Sequence, residues 1–169
     1  NTEVIWGDAN SWVGTQGKDL SLHSLPRDLD PNKIKNTTQR NNYAVPIKIA
    51  EQFYSKNGVP ITEDKTWNYI ERYKLRQATE NEKYLIKEGE TTCQLNFDRE
   101  IRYYASVGFD RGIWFGQGKT DDNTCYFVQG RFGEPAANSV QNSWNYTGLW
   151  PKKLVHFKTV ISEGTSGQT

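Results

Sequence analysis

Apolar residues in the first half of the chain recur at helical spacing. Val45, Ile49 and Phe53 lie four residues apart, so they would share one face of a helix. This helix is expected to begin near Pro46, because proline suits the first helical position, and to end at the turn-forming pair Asn57-Gly58.

Two further short helices are expected before residue 90. One is expected at 63–72, because acidic residues begin this segment and stabilise the positive N-terminal end of a helix. A capping box formed by Thr79 and Glu82 predicts a third helix, which runs to about Glu88.

The second half of the chain changes to strand patterns. Tyr103, Ala105, Val107 and Phe109 alternate with the residues between them, which is the period of a strand. A hairpin loop at 110–112 would join this strand to a returning strand at 113–115. Further strands are expected at 3–6, 125–128 and 154–161. Helices before strands predict an α+β class with long loops, short helices in the first half and short antiparallel strands in the second.

Composition indicates a folded, loop-rich domain that depends on aromatic rings for apolar burial. Hydrophobic residues are 35% of the chain, and it contains 6 Trp, 9 Tyr and 7 Phe. A length of 169 residues fits one domain, residues 1–169. The net charge of +1 excludes a long-range field that would steer the protein to nucleic acid or to an anionic membrane.

Motifs for cofactors and metals fail at their defining positions. Residues 116–120 resemble the end of a phosphate-binding loop, but Ile113 stands where the first glycine is required. The acidic turn 28–32 lacks the central glycine and the closing acid of a calcium loop. Neither His23 nor His156 has ligand-like spacing, so no metal and no cofactor are expected.

The cysteines and one pair of carboxylates leave alternatives open. Cys93 and Cys125 lack the spacing of a redox motif and fit either a disulfide or two free thiols. Asp98 and Glu100 would project together from a strand as a glycosidase pair does. The flanking Arg99 and Arg102 favour structural ion pairing instead.

One long segment resembles a known family. Residues 95–109, Leu-Asn-Phe-Asp-Arg-Glu-Ile-Arg-Tyr-Tyr-Ala-Ser-Val-Gly-Phe, resemble the Arg-Asp/Glu-Pro-Arg-Phe-Tyr-Ala-Ser segment of the SusD/RagB outer-membrane nutrient-binding lipoproteins. Gly112 and Trp114 match the Gly and Trp that follow it. Residues 57–61 and 147–153 are similar to two further landmarks of the family. Ile101 replaces the usual proline, and Leu149-Trp150 replaces a tyrosine.

The resemblance implies a central fragment of a larger SusD-type protein. Members have a mainly α fold with tetratricopeptide-like helical repeats, and this sequence carries the loop-rich part between them. Such proteins bind oligosaccharides or polysaccharides without cleaving them and deliver them to a SusC-like TonB-dependent transporter. The full-length protein would be lipid-anchored at the outer membrane surface, and the fragment itself would be soluble. A scaffold that docks on the transporter is the alternative function, and a glycoside hydrolase is a further one.

Four aromatic residues are the candidates for glycan contact. Trp12 lies in the long loop expected at 7–42, and Trp144 lies in the second long loop, expected at 130–145. The amides beside Trp144 could bind sugar hydroxyl groups. Tyr43 and Trp67 are additional candidates, although Trp67 also fits the apolar face of its expected helix. Arg99 and Arg102 are expected to hold the structure together through ion pairs and carbonyl hydrogen bonds.

Overall fold

The protein has a mixed, loop-rich architecture of short elements. The structure, a computed structural model, describes residues 20–27, 29, 41–137, 145–158 and 160. Residues 20–24 are helical. The other helices are α1 (Ile47–Gln52) and α2 (Ile101–Ser106), with 3-10 turns η1 (Glu80–Glu82), η2 (Gln94–Asn96) and η3 (Lys152–Leu154). The strands are β1 (Leu75–Gln77), β2 (Thr91–Cys93), β3 (Gly108–Phe109), β4 (Ile113–Trp114), β5 (Tyr126–Phe127) and β6 (Leu149–Trp150).

The strands form three antiparallel pairs, β1 with β2, β3 with β6, and β4 with β5. Leu75 lies opposite Cys93 in the first pair, and Phe109 lies opposite Leu149 in the second. The expected hairpin of 103–109 with 113–115 is therefore wrong, because β3 and β4 find separate partners. The turn between them does exist, since the Gly112 N–H donates to the Phe109 carbonyl at 2.8 Å.

Three clusters of buried apolar residues fill the interior. The largest contains the rings of Tyr103, Tyr104 and Phe109, and Tyr103 stacks on Phe109 with ring centroids 5.7 Å apart. Trp114 and Trp150 belong to the second cluster. In that cluster the Trp150 indole N–H donates to the Asn41 side chain. Aromatic rings thus supply the five largest fully buried side chains among the described residues, as the composition predicts.

Arg99 connects α1 and the residues that follow it to the segment before α2. Its guanidinium donates to the carbonyls of Ala50 at 2.6 Å, Phe53 at 2.7 Å and Leu95 at 2.8 Å. The residue is 2% exposed, so these bonds lie inside the protein. Carbonyl bonding is confirmed for Arg99, and the ion pairing falls to Arg102, which binds Glu100 at 2.7 Å.

Several predicted elements differ from those observed. The helix near Pro46 is confirmed as α1, but it ends at Gln52, before the expected end at 57–58. The capping box of Thr79 and Glu82 is present but opens only the 3-10 turn η1. The segment 63–72 forms turns instead of a helix, because the Asp64 carboxylate accepts the Thr66 N–H at 2.8 Å and competes with helical bonding.

The two longest predicted strands are wrong in most of their length. Residues 101–106 are helical because this places both Tyr103 and Tyr104 inward, and their hydroxyls donate to Asn96 at 2.6 and 3.0 Å. Residues 152–154 form η3, and His156 follows it as an exposed residue outside any strand. Only Tyr126–Phe127 of the segment 125–128 is a strand, and the segment 3–6 lies outside the described residues.

Cys93 and Cys125 are separate thiols. The Cys93 thiol donates to the Arg72 carbonyl at 2.9 Å, and burial raises its pKa. Across the described ranges, no helix has the length and apolar character needed to cross a membrane. The same residues hold no group of three or more His, Cys, Asp or Glu side chains suited to a metal ion.

Candidate functional site

A cleft of about 660 Å³ lies between α1, the β1–β2 pair, the end of β3 and the turn before β6. Its volume is within the range of about 300–1,000 Å³ that is usual for small-ligand sites. We call it the Tyr73 cleft. Segments that are distant in the sequence form its walls, because the pairing of β3 with β6 brings Asp110 close to Thr147 and Gly148.

One end of the Tyr73 cleft is apolar. Tyr73, Leu75 and Ile47 line it, and the exposed fraction of Tyr73 is 53%. The tyrosine hydroxyl donates to Glu51 at 2.8 Å, and the Arg72 guanidinium lies 4.3 Å from the centre of the ring. Arg72 in turn donates to Glu51 at 2.7 Å. The ring is therefore held in place before any ligand arrives.

The bond between Tyr73 and Glu51 also fixes their protonation. The Glu51 carboxylate raises the pKa of the Tyr73 hydroxyl, which stays a donor at neutral pH. Burial alone would raise the pKa of Glu51, but the hydrogen bonds from Arg72 and Tyr73 outweigh it and lower that pKa. Glu51 thus remains an ionised acceptor for the Tyr73 hydroxyl.

The other end of the cleft is polar and carries Asp110 and Arg131. One Asp110 carboxylate oxygen accepts the Gly130 N–H at 2.9 Å, and the other accepts the Arg131 Nε–H at 3.2 Å. Behind them the buried Arg111 donates to both carboxylate oxygens of Glu134 and to Glu90 at 3.1 Å. Burial raises the pKa of Asp110. The network fixes both side chains that face the cleft.

Hydroxyl groups and a tight turn complete the walls. Thr92 donates to the Asp110 carbonyl at 2.7 Å, and Thr147 donates to the Val45 carbonyl at 2.8 Å. Gly148 has φ +69°, a conformation that favours glycine, and its N–H donates to the Asn145 side chain at 2.9 Å. A ligand would thus meet a fixed aromatic and aliphatic surface at one end and paired polar groups at the other.

Of the aromatic residues predicted from sequence, Tyr43 and Trp67 are described by the structure, and neither lines this cleft. Tyr43 is 39% exposed and stacks on His23 with ring centroids 5.1 Å apart. Trp67 is 6% exposed, packs with Ile61 and Leu95, and its indole N–H donates to the Phe97 carbonyl at 3.1 Å. That packing leaves little of the Trp67 ring for a ligand. Trp12 and Trp144 lie outside the described residues.

Tyr73, Asp110 and Arg131 are the cleft residues that sequence reasoning missed. Asp110 lies in the predicted hairpin loop and Arg131 in the second long loop, and polar side chains in loops are the available signal. Nothing local indicates that these loops meet.

The carboxylates of Asp98 and Glu100 are engaged in ion pairs. Asp98 binds Lys56 and Arg76, each at 2.8 Å, and Glu100 accepts the Tyr54 N–H at 2.9 Å. Burial alone would raise the pKa of Asp98, but the bonds from Lys56 and Arg76 lower it. A glycosidase needs one carboxyl group that stays protonated, and this environment does not suit one.

A second cavity of about 460 Å³ lies beside α2 and η3. Exposed apolar side chains, including Tyr84, Ile101 and Phe157, surround it. The Lys152 ammonium donates to the carbonyls of Tyr104 at 3.0 Å and Ile113 at 2.8 Å. Burial lowers the pKa of Lys152 to about 8.

Comparison with known proteins identifies the family. A model of the SusD family matches residues 2–169. The chain belongs to the SusD family. The resemblance in residues 95–109 is thereby confirmed, and the α+β, loop-rich class agrees with a SusD-like fragment.

Solved structures show the same fold over part of their length. BT4246 matches with a TM-score of 0.68 at 20% identity, over 100% of this chain and 26% of that chain. A selenomethionine form of BT4246 matches with a TM-score of 0.61 at 21% identity, over 100% of this chain and 28% of that one. The chain thus spans about a quarter of the length of these solved structures. No curated protein matches it.

Proposed function

We propose that the protein binds glycans at the outer-membrane surface without cleaving them. Family membership supports the general function, since SusD proteins are non-catalytic carbohydrate-binding proteins of the cell surface. Delivery to a SusC-like TonB-dependent transporter is the next step of the proposal. The chain is proposed to act as one unit, residues 1–169, of a larger SusD-type protein.

The observation that carries the proposal is the Tyr73 cleft. Sugar rings present apolar C–H faces and a rim of hydroxyl groups, so they bind to surfaces that pair an aromatic ring with fixed polar groups. Tyr73 supplies the ring, and Asp110 and Arg131 supply an acceptor and a donor. Because these groups are held by Glu51 and by Gly130, binding has a small cost in side-chain ordering.

The loop aromatics remain predictions as additional contacts. We propose that Trp12, Trp144 and the half-exposed Tyr43 extend the binding surface for a longer glycan. We do not include Trp67 in this surface, because its ring packs in the core with Ile61.

The test compares two tyrosines with the same exposed fraction. Tyr73 and Tyr84 are each 53% exposed, but only Tyr73 lines the Tyr73 cleft. Retardation in native gels that contain a panel of polysaccharides measures binding. Tyr73→Ala is expected to weaken binding about tenfold, because a stacked ring face contributes roughly 1–2 kcal/mol of apolar contact.

Two further variants make this test specific. Tyr73→Phe keeps the ring and is expected to bind nearly as well as the wild type, whereas Tyr84→Ala is expected to bind equally well. If every glycan that retards the wild type retarded Tyr73→Ala to the same extent, the binding site would lie outside the Tyr73 cleft. A thermal melt of each variant checks that the fold is intact.

A docking scaffold is the second candidate function. The exposed side chains of Ile101, Tyr84 and Phe157 around the second cavity favour it, because apolar patches often mark protein interfaces. Ile101→Glu is expected to abolish co-purification with the transporter and to leave glycan retardation unchanged if this face docks. Loss of retardation without loss of co-purification would argue against a separate docking role.

A further inference from the structure

The charges around the Tyr73 cleft bear on the class of glycan that it can take. Among the described residues that line the cleft, Asp110 and Arg131 are charged, and they bind each other. The Arg131 guanidinium also lies 3.4 Å from Glu90 and donates to the Thr91 carbonyl. Its positive charge is therefore matched before a ligand binds.

The groups behind this pair add more negative charge than positive. Arg111 binds Glu90 at 3.1 Å and Asp110 at 3.3 Å, and it also pairs with Glu134. In this cluster the carboxylates of Glu90, Asp110 and Glu134 face the guanidinium groups of Arg111 and Arg131. The cluster thus carries one net negative charge. At the other end of the cleft, Glu51 and Arg72 neutralise each other.

A carboxylate or sulfate on the ligand would meet an unfavourable field at the polar end. Such a group bound to Arg131 would lie close to the carboxylates of Asp110 and Glu90, which already neutralise this guanidinium, and it would be repelled by them. A neutral hydroxyl group avoids this cost, because it can donate to the Asp110 carboxylate and accept from Arg131 while the ion pair stays formed.

We infer that the Tyr73 cleft selects neutral glycans over glycans that carry carboxylate or sulfate groups. The inference rests on the proposed function and adds the substrate class to it.

Matched ligands test the inference. Hexamers of glucose, galactose and mannose serve as neutral probes, and the same hexamers oxidised at C6 to uronates serve as anionic probes. Calorimetry on the full chain at low salt gives the affinities. A neutral hexamer is expected to bind at least tenfold more tightly than its oxidised form. Equal or tighter binding of the oxidised form would overturn the charge inference and leave the glycan-binding function standing. Binding of neither form, together with no retardation by any polysaccharide, would overturn both.

A charge variant shows whether this cluster causes the selectivity. Glu90→Gln leaves two carboxylates against two guanidinium groups, so the cluster becomes neutral. The preference for the neutral hexamer is expected to fall about fivefold, because this is the effect of removing one charge that lies roughly 8 Å from an anionic group of the ligand in a partly solvated site. Glu63→Gln removes the same charge from an exposed glutamate that does not line the cleft, and the preference should stay unchanged. An equal change in both variants would assign the selectivity to overall charge and overturn the role of the cluster.

Discussion

Arg99 offers the sharpest test of what holds this fold together. The Arg99→Met variant keeps a long apolar side chain but removes every guanidinium donor. The carbonyls of Ala50, Phe53 and Leu95 then lose partners that lie 2.6–2.8 Å away. Arg99 is 2% exposed, so water cannot replace these bonds without local opening.

The expected loss in the free energy of unfolding follows from the number of carbonyls that are left without a hydrogen-bond donor. Each buried acceptor without a partner costs about 1–3 kcal/mol. Removal of the charge offsets part of this, because burial penalises the charged guanidinium and lowers its pKa. The remainder is about 4 kcal/mol, which is a large part of the roughly 5–15 kcal/mol that stabilises a domain.

Urea unfolding followed by tryptophan fluorescence measures the loss. Arg102→Met is the matched control, since the Arg102 side chain is 74% exposed and pairs only at the surface with Glu100. Its free energy of unfolding is expected to change by less than about 0.5 kcal/mol. If Arg99→Met lost no more than Arg102→Met, the carbonyl bonds of Arg99 would not be a source of stability.

Two further predictions concern pH. Hydrogen bonds from Ser55, Thr66 and Asn57 lower the pKa of Asp64 well below its usual value of 3.8, so the stability that its carboxylate adds is present above about pH 4 and is lost as the pH falls below it. Asp64→Asn should therefore unfold at a lower urea concentration than wild type at pH 6, and the difference between the two urea midpoints should narrow towards pH 2. A difference that stays constant with pH would contradict this. Burial lowers the pKa of Lys152 from 10.5 to about 8, so wild type should gain about 1–2 kcal/mol of stability between pH 7.5 and 9.5. Lys152→Met should lack that gain, and parallel pH profiles of the two proteins would refute the assignment.

The sequence predicts the class of the fold and its main polar anchor, because both depend on local residue types. Loop-rich composition, the α1 helix and the structural role of Arg99 follow from spacing and from the 95–109 segment. The helix at 101–106 could not be predicted in this way. Its alternating pattern is that of a strand, whereas the helix is favoured because it lets the buried hydroxyls of Tyr103 and Tyr104 both reach the acceptor Asn96.

The Tyr73 cleft could not be predicted for a related reason. Its apolar end follows from the bond of Tyr73 to Glu51, and its polar end follows from the approach of Arg131 to Asp110. Each contact joins segments that are about 20 residues apart in the sequence. Aromatic content alone draws attention to tryptophans, whereas the exposed ring in the cleft belongs to a tyrosine beside a short strand.

The strand pairing has a consequence for how fast this chain folds. Gly108 pairs with Trp150, and the Trp150 indole binds Asn41, so the centre of the fold depends on contacts between ends of long loops. Helices of six residues cannot form stably alone and offer little local structure to begin from. High contact order of this kind slows folding, and the entropy of closing the loops must be overcome before the paired strands stabilise anything. Refolding from urea should therefore be slow for a chain of this size, with unpaired strand edges exposed in the meantime.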